Sequence, residues 1–271
     1  MRFVSLLIVF AFAAVAFAQS VPTGSTQAST LLQQSLAAQT GGALTEDITL
    51  NGTVAFISDA QDESVPITLT ALKDGTSQVS FSSATGAHTE EWSVSNGRPT
   101  ITGVGPNGSV TQPAGGSITM PSAAWFSPAL FTALVSNSDY SSSYVGSENK
   151  NGTSVQHVRV WPASASAIPE AIMQEQTRSD LYIDPATALP VAATFRVRPY
   201  HKPGTKPLSI RASLAAEEVR YSDYRPVQGR TIPFRLQVYL GDTPPMEFMD
   251  ITISSVSINK GATIAALAGG N

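Results

Sequence analysis

There is no cysteine in the chain. The fold must therefore stand without disulfides, and no lipid can be attached to an N-terminal cysteine after processing. Histidine is almost as scarce: His88, His157 and His201 lie far apart, and no H-E-x-x-H pairs any of them. His88 with Glu90 and Glu91 is a poor metal set, because alternation along a strand puts Glu91 on the opposite face, so no metal site is expected. Serine is abundant, yet no G-x-S-x-G elbow is present, and hydrolase nucleophile chemistry has no anchor. Asp59, Asp62 and Glu63 lack the glycine and terminal glutamate of a calcium loop and read as a solvated hairpin tip. No catalytic residue is assigned.

Cations are missing from the first half. Between residues 19 and 150 only Lys73, Arg98 and Lys150 stand against ten carboxylates, whereas most remaining cations fall between residues 159 and 235. Acidic and basic strands that share one sheet would offset each other; the sharper alternative is a basic surface for anionic head groups or an acidic partner. Net charge is −4, or −5 once Arg2 is removed, which argues against nucleic acid as a partner.

Long apolar runs are also absent after the first residues. The opening MRFVSLLIVFAFAAVAFAQS carries Arg2, an apolar run over residues 3–17, and a small-x-small site at Ala16-Phe17-Ala18. This is the pattern of a secretory signal peptide over residues 1–18 with cleavage after Ala18, and no later stretch is long enough to span a bilayer. The expected product is soluble, exported to the periplasm or secreted, about 250 residues long, with no transmembrane span after cleavage.

One stretch suggests a cofactor. ITGVGPNGSV contains Gly103, Gly105 and Gly108 as G-x-G-x-x-G. A dinucleotide site needs a helix to open within the motif and an acidic residue about 20 positions on. Here Pro113, Gly115 and Gly116 occupy the helix positions and the next acidic residue is Asp139. Pro106-Asn107-Gly108 is instead expected to be a turn, and no cofactor is assigned. Asn51-Gly52-Thr53, Asn107-Gly108-Ser109 and Asn151-Gly152-Thr153 match the glycosylation sequon, but Asn-Gly alone explains each as a turn or bulge.

The residues present are mostly strand formers. Ala28, Leu31, Leu32 and Leu36 recur at helical spacing, with Ser25 or Thr26 as the expected cap and Gly41-Gly42 as the stop. Period two then takes over: Ile48, Leu50, Val54 and Phe56; Val65, Ile67 and Leu69; Val79 and Phe81; Trp92 and Val94. The segment PSAAWFSPALFTALVS, residues 121–136, interrupts the strands with an apolar stripe of Trp125, Phe126, Ala129, Leu130, Ala133 and Leu134. Pro128 starts its helix and Ser127 caps it. Residues 136–147 read as a serine-rich connection, residues 155–161 as a strand, and residues 170–173 as a short helix. Later, Leu189, Val191, Ala193, Phe195 and Val197 alternate, as do Ile232, Phe234, Leu236, Val238 and Leu240 against Arg235, Gln237 and Tyr239, giving a sheet with one face covered and one wet. Met249, Ile251 and Ile253 share one parity and Val256 and Ile258 the other, which requires a β-bulge near Ser254-Ser255.

Two hairpins carry a resemblance. DLYIDPATALPV (residues 180–191) turns at Asp184-Pro185-Ala186-Thr187, with the Asp184 carboxylate placed to cap the turn. YSDYRPVQGRTIPFRL (residues 221–236) is expected to end a strand at Tyr224 and reverse at Val227-Gln228-Gly229. Together they resemble the paired strand signatures of the LolA-like superfamily, and the order of elements agrees. The resemblance implies a mainly β fold: a strongly curved antiparallel half-barrel with an N-terminal helix and a helical plug on the concave side. Residues 19–44 would form the leader and N-terminal helix, 45–260 the half-barrel and 261–271 a C-terminal tail.

The resemblance further implies a non-enzymatic protein that binds or carries a hydrophobic ligand, a lipid or acylated protein, in the cup. Trp125, Phe126, Leu130 and Leu134 on the plug and Phe234, Leu236 and Val238 on a strand are the ligand-binding candidates. The alternative is a structural protein of the envelope with a protein partner and a self-filled cavity. Turn chemistry speaks for fold and not for ligand, so both stay open.

Overall fold

The computed structural model describes residues 24–57, 63–84, 86–95, 98–105, 108–113, 127–163, 178–197, 215–240 and 246–264. Helix α1 (Gly24–Thr40) leads into β1 (Asp47–Phe56), β2 (Glu63–Leu72), β3 (Ser77–Ser83), β4 (Gly86–Ser95), β5 (Arg98–Gly105) and β6 (Gly108–Pro113). Helix α2 (Pro128–Val135) follows. Then come β7 (Tyr140–Lys150), β8 (Thr153–Pro162), β9 (Ser179–Ile183), β10 (Pro190–Val197), β11 (Ala215–Val227), β12 (Arg230–Leu240) and β13 (Met246–Ile258).

All thirteen strands form one antiparallel sheet in the order β6-β5-β4-β3-β2-β1-β13-β12-β11-β10-β9-β8-β7. It consists of two meanders joined where β1 pairs with β13. The two edges, β6 and β7, are successive in sequence and do not pair, so the curved sheet stays open as a half-barrel. The connection between them must cross from one edge to the other, and α2 lies in that crossing. Hydrophobic residues of both helices (Ala28, Leu32, Leu130, Phe131, Val135) share one core with the inward residues of β1, β2 and β8–β13. Burial of each larger side chain among them, leucine, valine or phenylalanine, is worth about 1.5–3 kcal/mol.

Turn chemistry sets the hairpins. Asn151 and Gly152, with φ of 53° and 85°, join β7 to β8; Gln228 and Gly229, at 50° and 77°, join β11 to β12. Two successive left-handed residues match the twist of paired strands. The strand before Gln228 continues past Tyr224 to Val227, three residues beyond the sequence expectation. The Asp184 turn forms as expected: its Oδ1 accepts from Ala186 N at 2.8 Å and its Oδ2 from the Thr187 hydroxyl at 3.0 Å. The glycine motif lies in the β5–β6 hairpin, where Gly105 pairs with Gly108. The β13 bulge is present. Asn51 pairs with Ser255 and Gly52 with Ile253, so Ser254 is the extra residue, and its hydroxyl donates to Asn51 O at 3.1 Å.

Two expectations change. Helix α1 begins at Gly24, so Ser25 and Thr26 are helical residues and not caps. Residues 140–147, read as a serine-rich connection, belong to edge strand β7. Serine is a poor predictor of strand, but here β8 supplies the ladder and α1 covers the inner face, so tertiary context overrides propensity. The helix expected over residues 170–173 lies outside the described residues. The ion pairs Arg159 with Asp180 and Arg235 with Asp250 lie within the second half, and Lys150 pairs with Glu218, so these pairs do not join the acidic first half to the basic second half.

Candidate functional site

A half-open groove of about 560 Å³ runs between the two helices. Helix α1 gives it Gln33, Leu36, Ala37 and Thr40, and α2 gives Ala129, Leu130, Ala133 and Leu134. The strap from α1 to β1 supplies Gly42, Ala43, Leu44 and Thr45, while Lys73 and Asn137 stand at the rim. Each wall has a local cause. Ser127 caps α2, accepting from Leu130 N at 3.4 Å with Pro128 in the first turn, which fixes the helix in register. Gly41 and Gly42, at φ 60° and 83°, turn the chain out of α1. The Gly41 position has no alternative, because a Cβ there would sit 2.5 Å from Gly229 O.

The helix pair is held from within by a polar clasp. Gln39, fully buried on α1, donates from Nε2 to Thr132 Oγ1 on α2 at 3.2 Å. The strap is held from below. Asn259 Nδ2 donates to Leu44 O at 3.0 Å, its Oδ1 accepts from Glu46 N at 2.7 Å, and Arg230 donates to Leu44 O and, through Nε, to Thr45 Oγ1 at 3.0 Å. With its backbone so fixed, Leu44 presents its side chain 72% exposed at the lip. The groove therefore has an apolar floor, an exposed leucine at its mouth and a thin polar rim. That is the make-up of a cleft for an apolar ligand, and its volume lies in the range of about 300–1,000 Å³ usual for such clefts.

The residues singled out from sequence separate into three groups. Leu130 and Leu134 are in the groove wall. Phe234, Leu236 and Val238 lie in the packed interior beneath the helices, 8%, 0% and 1% exposed, and contribute nothing to the groove. Trp125 and Phe126 lie outside the described residues. Sequence reasoning missed Leu44, Thr45 and Lys73. They sit on connecting segments, where no periodicity marks an apolar or polar face.

A second polar constellation occupies the outer face of the sheet. His157 Nε2 and Asp180 Oδ1 are 2.8 Å apart, Arg159 Nε donates to the same oxygen at 2.8 Å, and His157 Nδ1 stands 3.1 Å from Glu148 Oε1 without an aligned hydrogen bond. Burial would push the Asp180 carboxyl up, but the hydrogen bonds and charges of His157 and Arg159 outweigh it and hold Asp180 below the usual range. Nearby, Glu218 is held low in the same way by Lys150, Arg220 and Asn151 against the effect of burial. Burial lifts the neighbouring Tyr182 hydroxyl well above its ordinary value. Among the described residues the contacts of this network run between carboxylates, His157 and arginine, and they tie β7, β8 and β9 together.

No family model and no curated protein matches the sequence. Solved structures do match. An outer membrane lipoprotein-sorting protein domain from Vibrio parahaemolyticus aligns over 88% of this chain and 95% of its own, at TM-score 0.56 and 10% identity. A DUF1329 family protein from Desulfovibrio piger aligns over 89% and 96%, at 0.54 and 11% identity. A LolA superfamily protein from Nitrosomonas europaea aligns over 86% and 94%, at 0.52 and 12% identity. Open curved sheet, crossing helix and near-complete mutual coverage converge: the chain has the LolA-like half-barrel fold.

Proposed function

We propose that this protein is an exported, non-enzymatic binder or carrier of a hydrophobic ligand, a lipid or the acyl chain of an acylated protein, and that the groove between α1 and α2 receives it. The observation that carries the reading is the groove itself: about 560 Å³ walled by Leu36, Leu130, Leu134 and Leu44. Leucine and alanine offer no group for acid–base or nucleophilic chemistry, but they do exclude water from an alkyl chain. The fold neighbours support it to the extent that one is described as a lipoprotein-sorting domain and another as a LolA superfamily protein. The N-terminal sequence supports export through its signal-peptide pattern.

A second reading draws on the interior. Leu236, Phe131 and Phe195 are fully buried, so the space between helices and sheet is filled by the protein's own side chains. A protein whose cavity is self-filled would serve as an envelope interaction module. Native mass spectrometry of protein purified from its own host separates the two. A co-purifying lipid or acylated peptide is expected on the carrier reading; protein that stays ligand-free and takes up no alkyl probe on titration leaves the interaction module.

A further inference from the structure

We infer that the groove takes a long-chain fatty acid, with its carboxylate received at the mouth by Lys73 and Thr45 in the field of Arg230. The inference rests on the binding reading above and adds the ligand's chemical class. Lys73 is the one charged residue lining the groove among the described residues. Its ammonium holds both carboxylate oxygens of Glu46 at 3.0 Å, in a pair 59% and 52% exposed. Such an exposed pair is worth about 0–1 kcal/mol, so another carboxylate can replace Glu46 at little cost. The main chain beneath stays in place meanwhile, because Lys73 N donates to Glu46 O at 2.9 Å.

The second cation is anomalous. Arg230 is only 8% exposed, yet its guanidinium hydrogen bonds go to neutral oxygens: Leu44 O, Thr45 Oγ1 and Gln228 O. It has no carboxylate partner among the described residues. A buried cation without a counter-ion is costly, and its field is weakly screened. Thr45 passes that field to the groove. Its hydroxyl oxygen accepts from Arg230 Nε, so its own proton is polarised and has no protein acceptor among the described residues. Lys73 and the Thr45 hydroxyl thus form a donor pair on the groove lining, and an anion there supplies the charge that Arg230 lacks.

Charge and size narrow the anion. Glu46 already pairs with Lys73 and Asp74 follows it in sequence, so one added negative charge suits the mouth better than the roughly −1.5 to −2 of a phosphate monoester. Along α1 the lining runs from Gln33 to Thr40, about 10 Å at 1.5 Å per residue, which seats about half of an extended sixteen-carbon chain, so a long chain bends within the volume of about 560 Å³ or leaves by the open side.

The test is a displacement titration of the full-length mature protein preloaded with a neutral fluorescent dye, using palmitate, hexadecanol and monopalmitoyl lysophosphatidate. Palmitate is expected to bind about tenfold more tightly than hexadecanol, the scale of one charge-assisted hydrogen bond. Lys73→Met and Thr45→Val should each remove most of that preference, read as the ratio of palmitate to hexadecanol affinity in the same variant, and Glu46→Gln should strengthen palmitate binding. Equal affinities for acid and alcohol, or a Lys73→Met variant that weakens both alike, would overturn the inference and leave the binding reading intact. Lysophosphatidate binding more tightly than palmitate would overturn the carboxylate assignment. Failure of every alkyl ligand to bind the wild type would instead remove the binding reading itself.

Discussion

Gly52 has no room for a side chain. A Cβ there would meet Thr252 O at 2.2 Å and Ile253 Cα at 3.0 Å, both backbone atoms of the bulged strand β13. Because backbone cannot swing aside as a side chain does, Gly52→Ala should cost about 1–3 kcal/mol, the range for overpacking, read as a lower denaturant midpoint. Asp180 answers to pH. A carboxyl held below its unfolded value near 3.9 contributes stability above that pH and loses it as pH falls through the lower folded value. Asp180→Asn should therefore be less stable than wild type at pH 7, since Arg159 and His157 lose their partner, and should show a shallower loss of stability below about pH 4. Equal acid slopes in the two proteins would mean that Asp180 titrates no differently when folded. Of these two residues, sequence gave warning of only one. Asn51-Gly52 stood out as a turn-or-bulge dipeptide beside a parity switch in the partner strand, whereas the His157–Asp180–Arg159 contacts join positions more than 20 apart through strand register.

Elements were legible where a local rule decides them. Ser127-Pro128 announced α2, and Asp184-Pro185, Asn151-Gly152 and Gln228-Gly229 announced turns, because capping and left-handed φ are short-range requirements. Strand β7 was hidden because nothing in YSSSYVGSENK alternates strongly; its state is set by β8 beside it and α1 above. The cap offers a clean test. Ser127→Ala removes the acceptor for Leu130 N at a buried helix start and should cost about 0.5–2 kcal/mol. Since α2 forms one wall of the groove, alkyl-probe affinity should fall with it, and Ser127→Asp, which restores an acceptor, should recover both. Loss of stability with unchanged probe affinity would separate α2 from the ligand site.

At the scale of the molecule, chain order and spatial order oppose each other. The first and last strands meet at the centre, and the chain passes from edge strand β6 by way of α2 to the opposite edge strand β7. That crossing puts α2 against α1 and divides apolar residues between two fates that periodicity cannot tell apart: a filled interior and an accessible groove. Leu236 and Leu134 represent the two. Leu236 is fully buried within the core, so Leu236→Ala should cost about 2–5 kcal/mol through the cavity it leaves. Leu134 is partly buried on the groove wall, where truncation enlarges a space that already exists, so Leu134→Ala should cost less than Leu236→Ala. Leu134→Glu puts a charge on that wall and should abolish alkyl-probe uptake while the protein stays folded, because its side chain still reaches solvent at the rim. Chemical denaturation and probe titration on the same three variants give the comparison. If Leu236→Ala alone impairs probe uptake while Leu134→Glu binds like wild type, the ligand enters between helices and sheet, and the groove between α1 and α2 is not the site.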